Sequence, residues 1–185
     1  MSATATSTAI APCLWFDDDL EEAIGFYTSV FPDSSVQVLA RHSDAGPGVP
    51  GSVMAAEFTL AGLRFRAING GPQFPFTEAV SFAVGCADQA EVDRYWSLLS
   101  ADGEESVCGW LRDRYGLSWQ IVPMRLYELV SDADPARAAA AMGAMLGMRR
   151  IVLAEIEDAV AAIAGPDQAV AGPAGPLGAV GSTGV

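Results

Sequence analysis

Residues 62–68 read Gly-Leu-Arg-Phe-Arg-Ala-Ile, and residues 116–122 read Gly-Leu-Ser-Trp-Gln-Ile-Val. Both stretches begin with glycine and leucine, continue to an aromatic side chain and end in apolar residues. This pattern is typical of a strand that leaves a tight turn and enters a core. Because it occurs twice, the sequence predicts two related modules that share one core.

A second pair of matching segments lies earlier in each half of the chain. The matched positions keep a constant spacing and are Asp19, Ala23, Phe26, Tyr27 and Val30 in the first half and Asp88, Val92, Tyr95, Trp96 and Leu99 in the second. Their apolar members recur three and four residues apart, which predicts an amphipathic helix in each module. The aspartates at 17–19 are expected to cap the first helix, and Asp88 the second.

The remaining segments complete the same order of elements in each module. Strands are predicted over residues 10–16, 35–41, 52–60 and 63–68 in the first module and over 79–86, 106–108 and 117–122 in the second, with helices over 20–31 and 88–101. Residues 44–51 are rich in glycine and proline, which predicts a loop, and residues 102–104 are expected to form a turn. The predicted fold class is α+β, with paired βαβββ modules over 9–71 and 79–123 in a unit spanning 9–123.

The character of the sequence changes after residue 123. Helical propensity is high over 126–130, 136–148 and 151–163, which predicts a C-terminal helical extension over 124–164. The apolar side chains of Met142, Met145, Leu146 and Met148 predict a face for core or dimer packing, with a promiscuous binding surface as the alternative. Residues 1–8 and 165–185 are small and weakly patterned, and we expect a disordered leader and tail.

Charge excludes several kinds of function. The chain of 185 residues has 10 Lys+Arg against 23 Asp+Glu, so its formal net charge is −13. Such a surface does not favour a nucleic acid or an anionic membrane as partner. All the basic residues are arginines. Schiff-base chemistry and the phosphate-binding lysine of a P-loop are therefore excluded.

The single histidine and the three cysteines limit the chemistry further. His42 precedes the predicted loop and is interpreted as a solvated residue, with a catalytic base as the alternative. Cys13, Cys86 and Cys108 lie among apolar residues without paired spacing, which is typical of buried, reduced thiols. The first residues do not form a secretory signal, and no apolar run reaches the ~18 residues of a membrane span. We expect a cytoplasmic protein.

Several short motifs lie on or between the predicted strands and helices. They are Pro12-Cys13-Leu14-Trp15-Phe16, Phe26-Tyr27, Asn69-Gly70-Gly71-Pro72, Phe76-Thr77-Glu78-Ala79, Cys108-Gly109-Trp110-Leu111 and the stretch 113–123. Together, over about residues 8–160, they resemble the vicinal oxygen chelate superfamily of glyoxalases, bleomycin resistance proteins and extradiol dioxygenases. The match is to its PhnB-like branch, often labelled demethylubiquinone methyltransferase domain. The resemblance implies two sheets around a cup-shaped, half-open barrel, often completed in a homodimer with exchanged elements.

The same resemblance locates the positions at which metal-dependent members hold their ion. These members use His, Glu or Gln on the first and last strands of each module, and the matching positions here are Ala11, Arg66, Ala79 and Gln120. Alanine cannot bind a metal, and an arginine places a positive charge against it. Since a catalytic metal needs about three protein ligands, we expect no metal. No glycine-rich loop leads from a strand into a helix, so we expect no nucleotide-type cofactor and no literal methyltransferase.

A cavity between the modules would offer two polar anchors and several apolar walls. Arg66 and Gln120 are expected to point into it, where the guanidinium could bind a carboxylate or phosphonate. An ion pair of Arg66 with Glu57 or Glu78 is the alternative. The predicted apolar walls of the ligand site are Trp15, Phe65, Phe76, Trp110 and Trp119, with Phe74 beside them. The alternative is that these aromatic side chains are ordinary members of the core. Glu78 is a weak candidate for a general base if burial raises its pKa.

Two kinds of function remain. The first is a metal-free protein that binds a small, anionic or aromatic molecule, as bleomycin resistance proteins do, in the cytoplasm and as a homodimer. The second is a lyase, isomerase or transferase that uses acid–base chemistry in the same cavity. A dimeric interaction module without a ligand is a third reading.

Overall fold

A computed structural model describes residues 10–45 and 48–163, so the predicted leader and tail lie outside the described residues. The first module contains β1 (Cys13–Phe16), α1 (Leu20–Val30), β2 (Ser35–Arg41), β3 (Val53–Leu60) and β4 (Leu63–Asn69). The second contains β5 (Ser81–Cys86), α2 (Gln89–Ser100), β6 (Glu104–Glu105), β7 (Trp110–Arg112) and β8 (Ser118–Pro123). The helices α3 (Met124–Val130), α4 (Pro135–Leu146) and α5 (Leu153–Ala161) follow.

Each module forms one four-stranded mixed sheet. Sheet A has the order β1-β4-β3-β2, and sheet B has the order β5-β8-β7-β6. The repeated stretches become β4 and β8, and each pairs in parallel with the first strand of its module. Neither sheet closes into a barrel within the described residues. The predicted two-module α+β fold with C-terminal helices is confirmed.

The positions of the short strands in the second module differ from the prediction. The strand expected at 106–108 is wrong, because strands lie on either side of it, at β6 and β7. Cys108 and Gly109 have φ angles of 58° and 83°, which place them in the left-handed region of a turn. Their N–H groups donate to the carbonyl oxygens of Met148 and Arg149 at 2.8 and 2.7 Å. The turn therefore joins this module to the segment between α4 and α5.

The start of α1 is capped by Asn69, the last residue of β4. The Asp19 side chain makes no capping hydrogen bond, so the predicted cap is wrong. Instead the Leu20 N–H donates to Oδ1 of Asn69 at 3.1 Å. The predicted cap of α2 is confirmed, because Asp88 accepts from Glu91 N. At the start of α4, Asp134 accepts from Ala136 N in the same way.

The inner faces of the two sheets and both module helices share one core. Phe31, at the end of α1, stacks on Tyr95 of α2 at 5.4 Å and on Trp119 of β8 at 5.2 Å between ring centroids. Phe65 of β4 meets Phe82 of β5 at 5.0 Å. Since successive side chains of a strand alternate between faces, the neighbours of Phe65 and Trp119 in sequence lie on outer faces.

The C-terminal helices form a second cluster continuous with sheet B. It contains Val122 of β8 together with residues of α3, α4 and α5. Met145 and Met148 pack against this cluster, whereas Met142 and Leu146 are 41% and 61% exposed. The predicted methionine face is thus only partly a packing surface.

Two further sequence predictions are settled by exposure and helix length. Of the three cysteines expected to be buried, Cys86 is buried, but Cys13 is exposed and Cys108 is intermediate. Among residues 10–45 and 48–163, none of the helices has both the length and the apolar character that crossing a membrane requires.

Candidate functional site

A buried carboxylate connects the two modules. Asp113 is 3% exposed and accepts four hydrogen bonds, from Tyr27 Oη and Trp119 Nε1 at 2.8 Å and from the N–H groups of Tyr115 and Leu117 at 2.9 and 3.0 Å. Burial raises its pKa above the usual range, and these donors oppose the shift. In the sequence Asp113 belongs only to the motif stretch 113–123, and nothing local indicates that its side chain is a buried junction.

A cavity of about 640 Å³ lies where the ends of the modules meet. Two predicted ligand walls, Trp15 and Phe76, line it, and so does Phe74, which is 64% exposed. Trp15 Nε1 donates to Gly71 O at 2.8 Å, and its ring meets Phe74 edge-on at 5.0 Å. The charged lining residues are Asp17, Asp19, Asp102, Glu104, Arg112, Asp113 and Arg114. Both arginines are paired, Arg112 with Glu104 and Arg114 with Asp102.

A second cavity, of about 390 Å³, lies between the inner faces of the sheets. Phe65 and Trp119, which the sequence predicts as ligand walls, line it but are only 3% exposed each. Trp119 also uses its N–H for Asp113. Both side chains therefore belong to the shared core, which is the alternative role given for these aromatic residues in the sequence analysis.

A third cavity, of about 130 Å³, contains the candidate base and one more predicted wall. It is lined by Glu78, Glu104, Glu105, Ser106, Trp110, Leu111, Arg112 and Ser118. Glu78 is exposed, so the burial on which its role as a general base depended is absent. Ser118, in contrast, is 1% exposed, and its Oγ finds no hydrogen-bond partner among residues 10–45 and 48–163.

Arg66 and Gln120 lie on the outer faces of different sheets. Arg66 is level with Cys13 and Glu57 across sheet A, and its Nε lies 3.0 Å from Glu57 Oε1. Gln120 is level with Ala83 and Trp110 across sheet B, and its Nε2 donates to Ser81 Oγ at 2.8 Å. Since the inner faces share the core, one chain does not bring the two side chains into a common cavity.

Arg64 adds a second positive charge to the outer face of sheet A. Its terminal nitrogen lies 3.4 Å from Glu57 Oε2, so two guanidiniums share one carboxylate. The Arg66 side chain is 61% exposed and that of Glu57 is 32% exposed. In a chain with a net charge of −13, this face carries one excess positive charge.

The donor set at the four matched positions does not fit a metal ion. Ala11 and Ala79 have no ligating atom, and the Arg66 guanidinium is a cation already paired with a carboxylate. Gln120 alone offers an oxygen, against the three protein ligands that a catalytic ion normally uses. In the described part of the chain, no group of three His, Cys, Asp or Glu residues could hold a metal.

Comparison with known proteins gives one family and several related folds. A family model described as 3-demethylubiquinone-9 3-methyltransferase matches residues 8–122. A PhnB protein from Bacillus cereus that bears the same enzyme name is 36% identical, with a TM-score of 0.59 over 63% of this chain and 99% of that chain. Protein PA1353 from Pseudomonas aeruginosa is 20% identical, with a TM-score of 0.53 over 63% of this chain and 98% of that chain. No curated protein matches the chain.

Proposed function

This chain belongs to the family described as 3-demethylubiquinone-9 3-methyltransferase, the PhnB-like branch of the vicinal oxygen chelate superfamily, and we propose that it binds a small anionic molecule without a metal. The main support is the outer face of sheet A. There Arg64 and Arg66 share Glu57, so guanidinium N–H groups remain for an anion. Charge-assisted, bidentate bonds to a carboxylate or phosphonate are the strongest that such a group makes.

The proposed ligand lies in a cup between the outer faces of two chains. Four of the seven predicted ligand residues are on these faces, Arg66 and Trp15 on sheet A and Gln120 and Trp110 on sheet B. Because one chain directs the two faces away from its own core, sheet A of one copy has to meet sheet B of another. A symmetric homodimer satisfies this requirement twice.

The methyltransferase activity in the family's name is not part of the function that we propose. A cofactor-binding methyltransferase of the doubly wound type has parallel βαβ units and a glycine-rich turn into a helix. Both sheets of this chain are mixed, and each contains one parallel pair. Acid–base catalysis is the second candidate, and it would use Glu78, which lines a cavity beside Arg112.

Calorimetric titration with phenylphosphonate, an aromatic anion, tests the proposal. Arg66→Gln should weaken binding about tenfold or more, because a hydrogen bond to a charged group contributes about 1.5–3 kcal/mol and 1.4 kcal/mol is one decade. Arg125→Gln is the matched control, since Arg125 is 49% exposed and pairs with Glu128 and Glu157 on the C-terminal helices. Equal affinity of wild type and Arg66→Gln would refute the anion site.

Two further measurements on the same samples separate the alternatives. Sedimentation should give a dimer, and a monomer whose binding of phenylphosphonate is unchanged by Arg66→Gln would favour the 640 Å³ cavity instead. A stoichiometric divalent metal in the purified protein would contradict the metal-free proposal. Turnover of a bound compound that is lost in Glu78→Gln would favour the enzyme.

A further inference from the structure

Ser118 has a buried hydroxyl with no partner in the protein. Its residue is 1% exposed, and within the described residues its Oγ is the buried side-chain polar atom that forms no hydrogen bond. A buried polar group in this condition is destabilising unless water or a ligand completes the bond. The hydroxyl therefore indicates a position at which a water or a ligand binds.

The hydroxyl lines the cavity of about 130 Å³ on sheet B. Ser118 is level with Ser81 and Arg112 across the sheet and alternates with the inward Trp119, so it faces the outer side. At about 30 Å³ for each molecule of liquid water, the cavity has room for about four small atoms or groups. This volume fits the end of a ligand rather than a whole aromatic molecule.

The charges around the cavity favour a cation. Two carboxylates are available on this side of the sheet, from Glu78 and Glu104, against the single guanidinium of Arg112. Arg112 is paired with Glu104. Glu105 is level with the inward Leu111, and its carboxylate accepts from Trp96 Nε1 at 2.8 Å and lies 4.0 Å from Arg149, so it is engaged on the other face. In the described residues Glu78 forms no ion pair, which leaves it as the available countercharge.

The remaining lining groups suit an ammonium ion better than a metal. The ring of Trp110 lines the same cavity and offers the aromatic surface that organic cations prefer. A primary ammonium has three N–H donors, which match the Ser118 Oγ and two carboxylate oxygens. These acids do not form a group that could hold a metal within the described residues.

We infer that this cavity is a subsite for a primary ammonium group, held by Ser118 Oγ and the Glu78 carboxylate beside Trp110. The subsite is complete within one chain. Only the identity of the rest of the ligand rests on the proposed function. If the cup between two chains forms, its ligand carries an ammonium group that binds at sheet B and an anionic group that binds at Arg66 of the facing sheet A.

The experiment titrates ethylammonium chloride and, separately, ethanol into the full chain at constant ionic strength, with binding followed by ligand-observed NMR. Ethylammonium should bind at least tenfold more tightly than ethanol. Ser118→Ala and Glu78→Gln should each weaken it at least fivefold. Glu155→Gln, an exposed acid on α5 outside the cavity, is the charge control and should leave binding unchanged.

Two results would overturn the inference. Equal binding of ethylammonium and ethanol would mean that the cavity holds water only. Equal weakening by Glu78→Gln and Glu155→Gln would mean that ethylammonium responds to general negative charge. Phenylphosphonate on the same variants keeps the two proposals distinct, because Ser118→Ala should not alter its binding and Arg66→Gln should not alter that of ethylammonium.

Discussion

Tyr27 connects the two modules through one hydrogen bond, and Tyr27→Phe measures what this bond contributes. Its Oη donates to Asp113 Oδ2 at 2.8 Å, and the two residues are 0% and 3% exposed. Phenylalanine fills the same space without the hydroxyl, so the change removes the bond and opens little cavity. Since a hydrogen bond to a charged group contributes about 1.5–3 kcal/mol, the free energy of unfolding should fall by about 2 kcal/mol.

Asp113→Asn perturbs the same junction from the other side. Oδ1 accepts from the N–H groups of Tyr115 and Leu117, and an amide oxygen accepts equally well. The amide nitrogen that replaces Oδ2 can donate to the Tyr27 hydroxyl. Trp119 Nε1 can only donate, so its buried N–H loses its partner. This substitution should therefore cost about 3 kcal/mol, more than Tyr27→Phe.

Equilibrium unfolding in urea, followed by circular dichroism, gives the midpoint and slope for each variant. Asp158→Asn is the matched control, because Asp158 is exposed on α5 and its replacement should change stability by less than about 0.5 kcal/mol. A Tyr27→Phe protein within about 0.5 kcal/mol of wild type at unchanged slope would refute the reasoning. So would an Asp113→Asn protein as stable as the control.

Two other predictions concern the cap of α1 and the buried thiol. Asn69→Ala should lower the free energy of unfolding by about 1–2 kcal/mol, as loss of an N-cap does. Asp19→Ala should lower it by only about 0.5 kcal/mol, because it removes an interaction with the helix dipole and no capping bond. Equal losses for the two variants in urea unfolding would contradict the assigned cap. Burial raises the pKa of the Cys86 thiol to about 11, and the nearby carboxylates of Glu91 and Asp88 add to the shift. At pH 8 a disulfide reagent should therefore react rapidly with the exposed Cys13 and slowly with Cys86 in the native protein. Because Cys108 is partly exposed, the slow phase is assigned in the double variant Cys13→Ser, Cys108→Ser, where it should remain and should accelerate as the pH rises towards 11. A fast reaction of Cys86 in that variant would contradict the burial argument.

The fold was predictable from the sequence where periodicity is long. The repeated stretches carry a turn glycine and an alternating pattern, and they became β4 and β8 with the same parallel pairing. The short strands β6 and β7 were not predicted at their positions. A strand of two or three residues has too little alternation to be recognised, and its place is set by pairing with neighbours.

The candidate site was predicted less completely, for a related reason. The strands that carry Arg66 and Gln120 were correct, but the direction of their outer faces depends on how the inner faces share a core. Asn69 caps a helix that begins 49 positions earlier, and Asp113 accepts from a tyrosine 86 positions away. Side-chain bonds over such separations leave no local pattern, so the acids beside α1 were assigned a capping role that a distant amide fulfils.

The strong negative charge of the chain bears on whether two copies can form the proposed cup. Two chains of −13 repel each other, and this repulsion acts over the whole surface. The two outer faces differ locally, since sheet A carries an excess positive charge at Arg64 and Arg66 and sheet B carries one excess carboxylate, Glu78, near Trp110. Pairing sheet A with sheet B therefore brings opposite charges together, whereas pairing like faces does not. Because the Debye length is about 8 Å at physiological salt, the long-range repulsion is screened while close contacts between these faces persist. Local charge thus favours the same arrangement of faces that Arg66 and Gln120 need to reach one ligand.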